Sequence, residues 1–147
     1  MPIPDFNDAG MLPEGVWDCS LEEVATRMLD SVEREELWRK FLQFLDYYRE
    51  KNGPKVLWLD GSFVTAKRAP LDVDLVADCI DASAEQTQCA VLLFIERTSL
   101  RQRFCVDFWL KHPSFPNDLT QFFQYVRPDS ASQQQSSTSK GILRVML

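Results

Sequence analysis

The stretch from Ser31 to Lys51 constrains the fold most. Leu37, Phe41, Phe44, Leu45 and Tyr48 recur there at three- and four-residue steps, and "KNGP" then stops the pattern. This spacing predicts one long helix, capped by Ser31, with an aromatic-rich side that must be buried. Four short apolar runs follow it: "KVLWL" (Lys55–Leu59), "DVDLVA" (Asp72–Ala77), "FCVDFWL" (Phe104–Leu110) and the terminal "GILRVML". Each reads as a strand, and the first two are expected to be neighbours in one sheet.

A shorter helix opens at "SLEE", where Ser20 caps and Glu23 completes a capping box, with Leu21, Val24 and Met28 on the buried side. Before it, Pro2, Pro4, Gly10, Pro13 and Gly15 break both periodicities, so residues 1–19 are expected to form an extended arm on the domain. From Ser83 to Ile95 the residues Ala84, Val91, Leu92 and Ile95 suit a helix, although "AVLLFI" taken alone suits a strand. "TSLRQRF" reads as a further helical piece. "NDLTQFFQYV" predicts an amphipathic helix with Leu119, Phe122, Phe123 and Val126 on one side, and the Ser/Gln-rich residues 129–140 predict a flexible loop. The expectation is a single domain over residues 1–147 of α/β (α+β) class, a small mixed β-sheet with helices packed on one face.

Composition excludes several classes. An apolar content of 45% over 147 residues supports a core, while Cys19, Cys79, Cys89 and Cys105 are scattered, with no C-x-x-C and one histidine, His112. Neither a disulfide framework nor a structural zinc site is indicated, and a reducing cytoplasm is the expected location. No basic start precedes an apolar run, and no segment approaches the roughly 20 apolar residues of a membrane span. A net charge of −6 opposes tight binding to long DNA or other long nucleic acid. Phosphate chemistry would then need a local patch or a metal.

"LDGSFVTAKRAPLDVDLV", Leu59 to Val76, carries such a patch. On a strand, residues i and i+2 share a face, so Asp72 and Asp74 extend together while Val73 and Leu75 point inward. Asp107 lies on the face opposite Phe104, Val106, Phe108 and Leu110 of its own strand. If the two strands are adjacent, three carboxylates converge, and such hard oxygen donors suit Mg²⁺ or Mn²⁺. Gly61 lets the chain turn close to a ligand, and Ser62 can hold phosphate oxygens. Thirteen aspartates make roughly one D-x-D a chance event, so the order of the pieces, not the pair, carries the signal.

Positive charge for phosphate oxygens is available from Lys67 and Arg68 in the loop, or from Arg97, Arg101 and Arg103, for which a solvated face is an equal explanation. Trp58 and Trp109 are expected in the core rather than as a base-stacking platform, and His112 at a strand end rather than as a ligand.

The order "WLDGS", "DVDLV", "CVDFW" resembles the nucleotidyltransferase superfamily related to DNA polymerase beta, especially its minimal bacterial members. "IPDFNDAGMLPEG", "LDGSFVTAKRAPLDVD" and "GILRV" also resemble a set of small bacterial proteins expected to share that fold. The resemblance implies that Asp72 and Asp74 bind two divalent ions and Asp107 only the catalytic one. It implies nucleotide contacts from Gly61, Ser62, Lys67 and Arg68, and transfer of an NMP, AMP before others, from an NTP to a hydroxyl. The acceptor would lie on a protein, a tRNA-like RNA or a small molecule. Many minimal members have Arg-Gly after the Gly-Ser and a Ser before the acids, where this chain has "VTAKRAP" and Leu71. That departure favours the alternative expectation, a catalytically silent interaction module of antitoxin-like or defence-associated kind.

Overall fold

Both N-terminal helices begin at the expected caps. In this computed structural model, which describes residues 3–113 and 141–147, α1 spans Leu21–Met28 and α2 spans Val32–Glu50. The Glu23 N–H donates to Ser20 Oγ at 3.1 Å while the Ser20 N–H donates back to Glu23 Oε1 at 3.2 Å, so two otherwise orphaned donors are satisfied reciprocally. At α2 the Arg34 N–H donates to Ser31 Oγ.

The strands are β1 (Val16–Cys19), β2 (Val56–Asp60), β3 (Val73–Asp78), β4 (Val106–Lys111) and β5 (Ile142–Met146). They form one sheet in the order β1-β5-β2-β3-β4. The pairs β1–β5 and β3–β4 are parallel, and β5–β2 and β2–β3 are antiparallel. The parallel pair β3–β4 needs a long crossover. It is supplied by α3 (Ala84–Ile95) and α4 (Arg97–Phe104).

One face of the sheet carries the main core. Leu57, Leu59, Leu75, Phe108 and Val145 meet Val24, Phe41, Phe44 and Leu45 from the helices, all of them buried. Phe44 sits at the centre, with the rings of Phe41, Tyr48, Phe104 and Phe108 at centroid distances of 5.7 to 6.2 Å. The protein is therefore of mixed α/β class, with a five-stranded mixed sheet and, among the described residues, its helices on one side.

Two expectations are refined. The arm ends earlier than residue 19, because Val16–Cys19 joins the sheet beside β5. Its Pro- and Gly-rich lead-in conceals a strand whose partner lies more than a hundred residues away. The ambiguous segment 83–95 is a helix, because Ser83 and Gln86 form a second capping box. The helix expected around Leu119, Phe122, Phe123 and Val126 and the loop expected over 129–140 lie outside the described residues. No helix among the described residues is long and apolar enough to cross a membrane.

Burial perturbs the interior titratable groups. It pushes the thiols of Cys19 and Cys79 up to about 11, and raises the Tyr48 phenol, whose hydroxyl donates to the Pro54 carbonyl. A group whose pKa is raised by folding stabilises the fold fully below its unfolded pKa and loses that contribution as pH rises through the folded value. Urea unfolding followed by tryptophan fluorescence is therefore expected to show stability falling between pH 9 and 11, by on the order of 1–2 kcal/mol per thiol. Replacing both thiols by Ala is expected to flatten that part of the profile, and an unchanged slope would contradict the assignment.

Candidate metal and nucleotide site

The face of the sheet away from the main core holds the acids. In register, Asp60 pairs with Asp74 across β2–β3, and Asp74 pairs with Asp107 across β3–β4. Neighbouring strands lie about 4.8 Å apart, so Asp74 and Asp107 are adjacent, whereas Asp60 and Asp107 are two strands, roughly 10 Å, apart. Asp60 is buried at 1% exposure, and Asp74 and Asp107 are half-buried. The next row along the strands is Trp58, Val76 and Trp109.

Of the three acids expected to converge, the structure brings Asp74 and Asp107 side by side. Asp72 lies one residue ahead of β3, and Arg101 Nη2 donates to its Oδ2 at 3.0 Å. The donors are hard carboxylate oxygens of the kind Mg²⁺ or Mn²⁺ takes. Among the described residues, no group of three or more His, Cys, Asp or Glu side chains is gathered as a metal-holding cluster. The fit to a divalent ion thus rests on the chemistry of the Asp74–Asp107 pair, with Asp72 engaged by a protein cation.

The turn from α4 into β4 sets this arrangement. Cys105 takes the left-handed conformation at φ 55° and caps α4, its N–H donating to the Arg101 carbonyl at 3.0 Å. Its own carbonyl accepts from Val73 N–H at 2.9 Å, which starts the β3–β4 pairing. A non-glycine residue there is strained by roughly 1–2 kcal/mol. The reversal lets α4 present Arg101 to Asp72 while β4 presents Asp107 two residues on.

Gly61 abuts the acids from the other side. Its φ is +78°, and a Cβ there would fall on the Asp74 carboxylate, against Oδ2 and at 2.7 Å from Cγ. Glycine is needed for both reasons: the backbone angle, and the close approach of the turn to Asp74. Ser62 then opens a single 3₁₀ turn, Ser62–Val64, in which Thr65 N–H and Thr65 Oγ1 both donate to the Ser62 carbonyl.

The loop that continues to Asp72 is organised by Arg34. This side chain is buried at 2% exposure. Its Nε donates to the Lys67 carbonyl at 3.1 Å, and Nη1 to those of Met28 at 3.1 Å and Phe63 at 2.7 Å. Nη2 reaches the carbonyls of Ser62 at 3.4 Å, Thr65 at 2.5 Å and Lys67 at 2.7 Å. Burial lowers the guanidinium's pKa, and Asp30, 3.5 Å away, partly offsets this. Ser31 Oγ donates to the Arg68 carbonyl. On the outer side the arm closes the loop: Ala66 N–H donates to the Gly10 carbonyl at 2.7 Å, and Met11 bridges Thr65. The side chains of Lys67 and Arg68 are exposed on this pinned backbone.

The other expected residues divide. Arg97 donates to the Phe94 carbonyl and lies over the Phe94 ring, and Arg103 lies over Tyr47 and Phe104, so of the three arginines only Arg101 is seen to bond one of the acids. Trp58 is buried with Val76 and Ile142, and Trp109 packs against that cluster. Lys111 and Arg144 already lie 5.2 and 5.5 Å from the Trp58 ring centroid, and Trp109 lies against Phe94, which is packing rather than an open stacking surface. His112 follows the last residue of β4, at the end of the strand away from Asp107.

Sequence reasoning missed Asp60 and Arg34. Both were in phase with visible patterns: Asp60 is two residues past Trp58 on β2, and Arg34 precedes Leu37, Phe41, Phe44 and Tyr48 on the buried stripe of α2. A charged residue in an apolar stripe signals an interior partner.

The sheet, the paired acids and the pinned glycine turn define a small α/β protein with an acidic site where the end of β2 meets the starts of β3 and edge strand β4. The chain belongs to the family described as "Family of unknown function (DUF6932)", which matches residues 4–146. No curated protein and no solved structure matches it.

The Gly61–Asp74 contact yields a direct expectation. Gly61→Ala should destabilise the fold by about 1–3 kcal/mol, from the positive φ and the displaced carboxylate together. Chemical denaturation of the variant checks this. A variant as stable as wild type would mean that Asp74 does not pack on the turn.

Proposed function

We propose that the protein is a metal-dependent nucleotidyltransferase, moving an NMP, AMP before others, from an NTP to a hydroxyl on a protein, an RNA or a small molecule, with the α–β phosphoanhydride bond broken and pyrophosphate leaving. The observation that carries the reading is the register of Asp74 beside Asp107 with the Gly61–Ser62 turn packed directly on Asp74. Paired carboxylates beside a tight backbone turn are what a metal-bound triphosphate requires.

In this reading Asp74 and Asp107 hold the divalent ion, Mg²⁺ or Mn²⁺, and Asp72 joins them by exchanging Arg101 for the cation. When bound, that ion supplies charge neutralisation of the phosphates and acidification of the acceptor hydroxyl. Gly61 and Ser62 approach the phosphates, and Lys67 and Arg68 offset their remaining charge. A cytoplasmic location fits the four free thiols.

One observation favours the second reading, a silent interaction module: Arg101 already neutralises Asp72. Calorimetry with each of the four NTPs and Mg²⁺ or Mn²⁺ separates the two. The enzyme reading predicts binding of at least one NTP, weakened by about 10–100-fold in Asp74→Asn and Asp107→Asn. It also predicts that Arg101→Met tightens Mn²⁺ binding by about a few-fold, as expected for removal of an exposed competitor. Absence of NTP and Mn²⁺ binding in wild type and Arg101→Met alike would establish the silent module instead.

A further inference from the structure

We propose that Arg34 is the positioning residue of the candidate nucleotide site, acting through the backbone of residues 62–68; the proposal rests on the nucleotide reading above. At 2% exposure its guanidinium is closed off from solvent, so it acts on a ligand only through what it holds. Four of the five carbonyls it binds, those of Ser62, Phe63, Thr65 and Lys67, belong to the loop between Gly61 and Asp72. With these turned inward, the exposed side chains of Lys67 and Arg68 project from fixed stems. The arm grips the opposite side through Gly10 and Met11. The loop is therefore ordered before any ligand arrives, and binding is spared most of the cost of ordering it.

The fork geometry is essential to this role. A guanidinium spreads five N–H donors over three nitrogens in one plane, whereas a lysine ammonium offers three from a single atom and cannot span carbonyls distributed from Met28 to Lys67.

The test uses the full chain with Arg34→Lys, and Val24→Ala in α1 as a destabilised control outside the loop. Three quantities are measured: amide hydrogen exchange over residues 62–68, Mn²⁺ binding by electron paramagnetic resonance, and MgATP binding by calorimetry. Arg34→Lys is expected to speed exchange in the loop, to keep Mn²⁺ affinity, and to weaken MgATP by about tenfold or more. Val24→Ala should keep wild-type MgATP affinity. Unchanged loop exchange in Arg34→Lys, equal loss of MgATP affinity in both variants, or parallel loss of Mn²⁺ and MgATP would each overturn the proposal.

If Arg34→Lys does not fold, Arg34→Gln replaces it: its one amide nitrogen meets at most two of the five carbonyls and carries no charge, and the same outcomes apply. If wild type binds no NTP, the nucleotide reading fails by itself. The exchange measurement then decides alone: faster exchange confined to the loop upholds positioning by Arg34, and unchanged exchange rejects it.

Discussion

The guanidinium of Arg34 joins three parts of the chain that sequence separates: the end of α1 at the Met28 carbonyl, the buried stripe of α2, and the loop after the Gly-Ser turn. Moving a charge inside costs several kcal/mol, and the cost is offset only when every donor is met. Here all three nitrogens are bonded, and the guanidinium also lies 5.3 Å from the Phe63 ring centroid, with that ring stacked on Trp38. Losing the cation would leave several inward carbonyls without it, each worth about 1–3 kcal/mol if unsatisfied. The loop conformation and the α1–α2 junction therefore stand or fall together.

The acid row follows from topology. Because β3 and β4 run parallel, their N-terminal ends lie together, and Asp74 meets Asp107 there. Carboxylates so close repel unless positive charge or protons intervene. The protein places a cation at Asp72, through Arg101, and two exposed cationic side chains, Lys67 and Arg68, on the pinned loop. A second charge pair, Arg144 with both oxygens of Asp18, ties edge strand β1 to β5 and lowers the pKa of Asp18 through that hydrogen bonding. It lies apart from the acid row.

The helices were legible because their signals are local. The Ser20–Glu23 box, the Ser31 cap and the 37–48 stripe each lie within a few turns of chain, and they place α1 and α2 closely. Strands β2 to β5 were legible from apolar runs, and Asp107 from its place opposite Val106 and Phe108. Less visible were features made by distant pairing. Val16–Cys19 becomes a strand only because Ile142–Val145 lies beside it, and the Arg101–Asp72 pair forms only when α4 packs by β3. Asp60 directly follows the apolar run Lys55–Leu59, and its burial emerges only when β2 is flanked on both sides. Arg34 is one of several charges in "VEREEL", although its phase along the helix points inward.

Nucleotide transfer at the acids and the pinned turn is the activity proposed for this protein. Its most direct measurement is incubation of cell lysate with each α-labelled NTP and the purified protein, wild type against the Asp72→Ala/Asp74→Ala double variant. Label from one NTP is expected on a discrete protein, RNA or small-molecule species with wild type, and is expected to be absent with the double variant. Label that persists undiminished with the double variant, or that never exceeds the protein-free background with any NTP, would contradict the proposal.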